Sequence, residues 1–124
     1  MAKFRVLLVD DEVEFTSALA ERLQLRGIAA DIANSGEEAL EKVHSSPPDV
    51  VLLDMLMPGM GGKEALKRLK KEHPRLPVIL LTGRGSWDKV EGIRLGAYDC
   101  IMKPLKIEEL IQIMTSAINS ADVG

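Results

Sequence analysis

Cysteine is almost missing from the chain. Cys100 stands alone among 124 residues, which excludes an intramolecular disulfide and any multi-cysteine zinc site and makes a reducing compartment, the cytoplasm, the expected setting. Long hydrophobic runs are missing too. The longest apolar stretches, at Val6–Val9 and Val78–Leu81, span four or five residues, far short of the ~20 that cross a bilayer. A signal peptide is not expected, because Lys3 and Arg5 lead into only four apolar residues before Asp10 and Asp11. Nor is there a large charge excess. Sixteen basic against nineteen acidic residues leave −3, the wrong sign for attraction to nucleic acid, so direct DNA binding and membrane attachment are both disfavoured. Repeats, low-complexity tracts and linkers are absent, and the length admits one folding unit, residues 1–124 with an ordered core of about 3–120.

The apolar share of 46% and charged share of 28% are those of a globular chain with a real core. Short apolar runs alternate with segments of helical period, the pattern of βαβ units that build a parallel sheet. Strands are expected at Phe4–Val9, Ile28–Ile32, Val50–Leu53, Val78–Leu81 and Cys100–Met102, and helices near 12–26, 36–45, 62–73, 86–95 and 106–119. Three strands are nearly continuous Val, Leu and Ile and so expected to be covered on both faces, whereas Asp31 marks Ile28–Ile32 as an edge. Ser35-Gly36-Glu37-Glu38 has capping-box spacing, Gly27 can supply the left-handed residue that ends the first helix, and Pro74 follows the third. In the last helix Ile107, Leu110, Ile111, Met114, Ala117 and Ile118 fall within about 120° of one another, a core-facing stripe, and Ser120–Gly124 is expected to fray.

The chemistry collects where the strands end. Asp10 and Asp11 follow the first, Asp54 the third, Thr82 the fourth and Lys103 the fifth. In an open parallel sheet these carboxyl ends form one ligand-binding rim. Three clustered carboxylates repel, and a hard divalent cation neutralises them; with no His or Cys at these strand ends, magnesium or manganese is favoured over zinc. A lysine and a threonine hydroxyl suit a metal-bound phosphoryl group, with one carboxylate as nucleophile.

VLLVDDE, VVLLDMLMPGM, VILLTGRGS and LGAYDCIMKP together resemble the receiver domain of bacterial two-component response regulators along essentially the whole chain. The resemblance implies a flavodoxin-like, doubly wound α/β fold: five parallel strands in order 2-1-3-4-5 with five helices. It implies Asp54 as phosphoryl acceptor, Asp11 as direct Mg²⁺ ligand, Asp10 as its acidic neighbour, and the Leu56 backbone carbonyl completing the protein's share of the coordination. Mn²⁺ is the alternative ion. Lys103 would pair with the phosphoryl oxygens, Thr82 would report phosphorylation, and Pro104 would follow the lysine through a cis peptide. The implied partners are a sensor histidine kinase or phosphotransfer protein. A second copy or an output domain would meet the face formed by the fourth helix, fifth strand and last helix, with Ile113 at its margin. Two departures stand out. Cys100 occupies the position where the family usually has an aromatic ring, with Tyr98 two residues earlier, and the fourth helix contains Gly92, which weakens a helix interior by about 1 kcal/mol relative to alanine. Signalling is then expected through displacement of that helix, with Trp87 near its start as a reporter.

Taken singly, the same residues have ordinary roles: Asp11 with Glu14 as a capping box, Asp54 and Thr82 as turn residues, Lys103 as a solvated lysine. Cys100 is expected to be a small buried apolar residue, His44 and His73 to close helices, Lys63, Lys67 and Lys71 to form a solvated basic face, and Met55, Met57 and Met60 to fill gaps. Three rival functions remain. A Mg²⁺-dependent hydrolytic phosphatase would want an acid where Leu56 stands. A flavin-binding module would find its phosphate repelled by Asp10, Asp11 and Glu12. An unphosphorylated scaffold would have no need of the residues retained here.

Overall fold

A computed structural model describes residues 4–57, 59–83 and 86–123, leaving aside the side chains of 86–88, 122 and 123. Strands and helices alternate without exception: β1 (Arg5–Val9), α1 (Val13–Gln24), β2 (Ala29–Ala33), α2 (Gly36–Ser45), β3 (Val50–Asp54), α3 (Gly61–Glu72), β4 (Val78–Thr82), α4 (Ser86–Arg94), β5 (Asp99–Met102) and α5 (Ile107–Val123). The strands form one parallel sheet in the order β2-β1-β3-β4-β5. A parallel neighbour needs a crossover, and here the helices supply it on both faces.

Central position explains the continuous apolar runs. Every residue of β3 and of β4 is buried, whereas β2, at an edge, buries only Ala33 fully. Alternate residues of each strand go to opposite sides. Val6, Leu8, Leu52, Ile79, Leu81 and Ile101 pack with α1 and α5, and Leu7, Val9, Val51, Leu53, Val78 and Leu80 with the α2 and α3 layer. The stripe expected on the last helix is the one that packs: Ile107, Leu110, Met114 and Ala117 are each at most 1% exposed. Truncating such a leucine to alanine typically costs about 2–5 kcal/mol.

Gly27 takes φ of +80° just beyond α1, in a left-handed conformation that L side chains rarely adopt. At α2, Ser35 accepts a hydrogen bond from the Glu38 N–H at 3.1 Å, while Glu38 reaches back to the Asn34 N–H at 2.7 Å, one residue before the cap. The Asp11–Glu14 capping box does not form. The N-cap of α1 is Glu12, one residue later than expected and with no side-chain cap, and its own N–H is taken by the Asp10 carboxylate at 3.0 Å. The last helix also runs on to Val123 instead of fraying at Ser120. The side chain of Trp87 lies outside the described residues.

Candidate functional site

Asp54 and Thr82 are the last residues of β3 and β4, and Asp10 and Lys103 immediately follow β1 and β5. Backbone bonds carry the ladder one step past the strands: Asp10 N–H to Ala33 O at 3.1 Å, Met55 N–H to Leu81 O at 3.0 Å, and Lys103 N–H to Thr82 O at 2.7 Å. The register therefore delivers all four side chains to one rim. Lys103 enters through a cis peptide to Pro104, as the family resemblance implied.

Two carboxylates are sunk into this rim, Asp10 at 2% exposure and Asp54 at 5%. Each is tethered by the N–H two residues on, Asp10 Oδ1 by Glu12 at 3.0 Å and Asp54 Oδ1 by Leu56 at 3.2 Å. Burial in low dielectric penalises the charged form of Asp54. Together with the neighbouring charge of Asp10, it outweighs the Leu56 N–H and the Lys103 ammonium and raises the carboxyl from 3.8 to about 6. Lys103 brings the opposite charge. Its Nζ lies 3.2 Å from Asp10 Oδ2 and 2.5 Å from Glu12 Oε1, and sits 4.8 Å above the Phe15 ring. Desolvation pulls its pKa down, but the hydrogen bond to Glu12 and the charges of Asp10 and Asp54 overcome it, so the net shift is upward.

Among the described residues one ammonium faces Asp10, Glu12 and Asp54, whose ligand atoms all lie within 4.8 Å of one another. Asp10 Oδ2 is buried and makes no well-directed hydrogen bond among the described residues. Among the described residues the rim has more carboxylates than cations, and this set of oxygen ligands with a raised carboxyl among them fits a hard divalent cation. Asp11, expected as the direct ligand, is exposed and outside this group, and Glu12 is inside it. Leu56, whose carbonyl the resemblance assigned to the ion, carries an exposed side chain at 59%.

Thr82 is fully buried. Cys100 is half-buried against the core layer that contains Leu80 and Ala97. Tyr98 precedes β5 and is 40% exposed, so it does not take up the place of a ring on that strand.

A model of the response regulator receiver domain matches residues 6–115. The chain belongs to this family. Among curated relatives, it is 40% identical over 119 residues to the uncharacterized transcriptional regulatory protein YkoG of Bacillus subtilis, covering 95% of this receiver and 52% of that protein. It is 45% identical over 108 residues to the transcriptional regulatory protein CpxR homolog of Haemophilus influenzae, covering 86% and 47%. This receiver thus spans about half the length of the curated relatives it matches. Among solved structures, NtrX from Brucella abortus in complex with ADP superposes with a TM-score of 0.91 at 34% identity, covering 98% of this receiver and 28% of that chain. A CheY-like response regulator receiver domain protein from Methanospirillum hungatei superposes at 0.89 with 27% identity, covering 98% of each. Family and fold agree with the sequence reading, and no helix among the described residues is long and apolar enough to cross a membrane.

Four residues that support the receiver's site were not singled out for it in the sequence. Glu12 holds Lys103, and Phe15, three residues along α1, lies under its ammonium. Asn34 Nδ2 donates to Asp10 O at 2.9 Å. A Cβ on Gly62 would stand 2.6 Å from Met55 Cα, so this glycine lets α3 lie against the backbone that carries Asp54. The acid run after β1 and the glycine pair Gly61-Gly62 were the available signals; Phe15 and Asn34 left none.

Proposed function

We propose that this receiver is a phosphorylation-activated switch in which Asp54 takes a phosphoryl group from a phosphohistidine on a sensor kinase or phosphotransfer protein. The observation that supports this most directly is Asp54 itself: a buried carboxylate at a central strand end, beside a second acid and within reach of a lysine's charge. With its carboxyl near 6, Asp54 is mostly ionised at neutral pH and available as a nucleophile. One of its oxygens attacks phosphorus as the phosphorus–nitrogen bond to the donor imidazole breaks. Asp10, Asp11, Asp54 and the Leu56 carbonyl would hold Mg²⁺, or Mn²⁺ in its place, which when bound supplies positive charge to the transferring phosphoryl oxygens. Lys103, now held by Asp10 and Glu12, would pair with a phosphoryl oxygen.

Slow hydrolysis of the acyl phosphate at the same site would return the switch to its resting state. Thr82 would hydrogen-bond the phosphoryl group and vacate space beneath α4, biasing the face of α4, β5 and α5 toward a second copy or an output domain. With Cys100 in place of a ring, helix displacement carries the signal. The receiver would meet its kinase in the cytoplasm and make no direct contact with nucleic acid. Incubation with Mg²⁺ and a small phosphodonor, followed by mass mapping, should place one acid-labile phosphoryl group on Asp54. Asp54→Asn should take up none, and uptake at the wild-type rate refutes the assignment. Thr82→Ala should be phosphorylated yet lose most of the amide-shift response in α4 and β5; an unchanged response refutes the coupling.

A further inference from the structure

At the other end of the molecule, where α2 and α3 finish, three side chains with metal-binding atoms converge. His44 lies in the last turn of α2, Glu72 is the last residue of α3 and His73 caps that helix. One ligand atom from each lies within 4.8 Å of the others, and the two imidazole rings meet edge to face with centroids 6.4 Å apart. Along the sequence each histidine only closes a helix, and packing of α2 beside α3 makes them neighbours.

A second observation points to a ligand. His73 Nε2 is shut away from solvent and has no hydrogen-bond partner among the described residues, although buried ring nitrogens ordinarily find one. The backbone that carries the ring is tied at both sides: the His73 N–H donates to Leu69 O at 2.8 Å and its carbonyl accepts the Leu76 N–H at 3.0 Å. His44 and Glu72 are exposed. The part-buried ring thus sits on an anchored backbone, and two exposed side chains can rotate toward it. Both helices also present their carbonyl ends here, a partial negative charge that favours a cation. Lys70, in the last turn of α3, is engaged by the Pro74 and Leu76 carbonyls at 2.9 and 2.8 Å.

We propose that His44, Glu72 and His73 form a second metal site, selective for a borderline transition-metal dication of the Zn²⁺ class. Two imidazoles and one carboxylate are the ligand set of such ions, and leave a fourth tetrahedral position for water. Tetrahedral ligands at zinc distances stand about 3.3 Å apart, so rotations of His44 and Glu72 must close the cluster by roughly 1–2 Å. The all-oxygen rim at Asp54 suits Mg²⁺ instead, so the two sites discriminate between metals. Bound metal would tie the carboxyl ends of α2 and α3 together, remote from the rim.

The test uses untagged full chain in saturating Mg²⁺, titrated calorimetrically with Zn²⁺ and spectroscopically with Co²⁺. One ion per chain should bind, with shifts in the ring-proton signals of both histidines. Losing even an outer partner of a metal ligand costs roughly 10–100-fold in affinity, so His44→Ala should weaken binding by about tenfold or more. Glu72→Gln should weaken it too, and Asp54→Asn should leave it unchanged. His44→Ala alters an exposed side chain and is expected to fold, which circular dichroism would verify. The proposal is overturned if no Zn²⁺ binds at millimolar concentration, if folded His44→Ala binds as tightly as wild type, or if Asp54→Asn abolishes binding.

Discussion

Gly62→Ala is expected to act against the usual sign of a glycine-to-alanine change in a helix. Gly62 is the second residue of α3, and alanine there gains at most about 1 kcal/mol of helix propensity. The added Cβ would stand 2.6 Å from Met55 Cα and 3.0 Å from Met55 C, and would also overlap Asp54 O. These are backbone atoms at the end of a central strand, and they cannot step aside as a side-chain tip does. Overpacking of this kind costs about 1–3 kcal/mol, so the net loss should be roughly 1–2 kcal/mol. For a domain of this size that lowers Tm by about 4–8 °C. Gly92→Ala is the contrast. Its Cβ would meet chiefly Leu80 Cδ1, the end of a rotatable side chain, with Ala97 Cβ at 3.9 Å. Propensity gain and repacking cost then nearly cancel, leaving a change of about 1 kcal/mol or less in either direction. Urea denaturation followed by circular dichroism ranks the two variants. Phosphorylation of Gly62→Ala should also slow, because relief of the overlap shifts the backbone of Asp54. Gly62→Ala as stable as wild type, or less damaging than Gly92→Ala, would refute this account of why α3 begins with glycines.

Two other predictions concern charge at the rim. The Asp54 carboxyl, raised from 3.8 to about 6 in the folded state, contributes stability that is present below about pH 4 and lost as pH rises through 6. In metal-free buffer Asp54→Asn should therefore gain on wild type by roughly 1–3 kcal/mol between pH 4 and pH 7, and a pH-independent difference in denaturation midpoints would contradict the desolvation argument. Calorimetric Mg²⁺ titration of Asp11→Ala and Glu12→Gln separates the two candidates for the third acid: Asp11→Ala should weaken binding most, and equal affinity in that variant and wild type would remove Asp11 from the ligand set.

The alternation of apolar runs with helical periods sufficed to place all five strands and five helices, because strands covered on both faces must be continuously apolar and amphipathic helices must repeat near 3.6 residues. The residues ending those runs were legible for the same reason: a polar group directly after a buried strand has only the rim to go to, so Asp10, Asp54, Thr82 and Lys103 were found together. Helix starts were less legible. Asp11 and Glu14 have the spacing of a cap, but the chain enters the helix at Glu12, whose N–H the Asp10 carboxylate accepts, and that turn is a property of the folded rim. Local patterns could mark a residue without showing what it meets across the fold. Glu12 reaches Lys103 across 91 positions, Gly62 is required by the strand end beneath it, and His44 meets His73 only because α2 and α3 finish side by side. Sequence periodicity reports which face of an element is buried, and tertiary structure alone decides which element covers it.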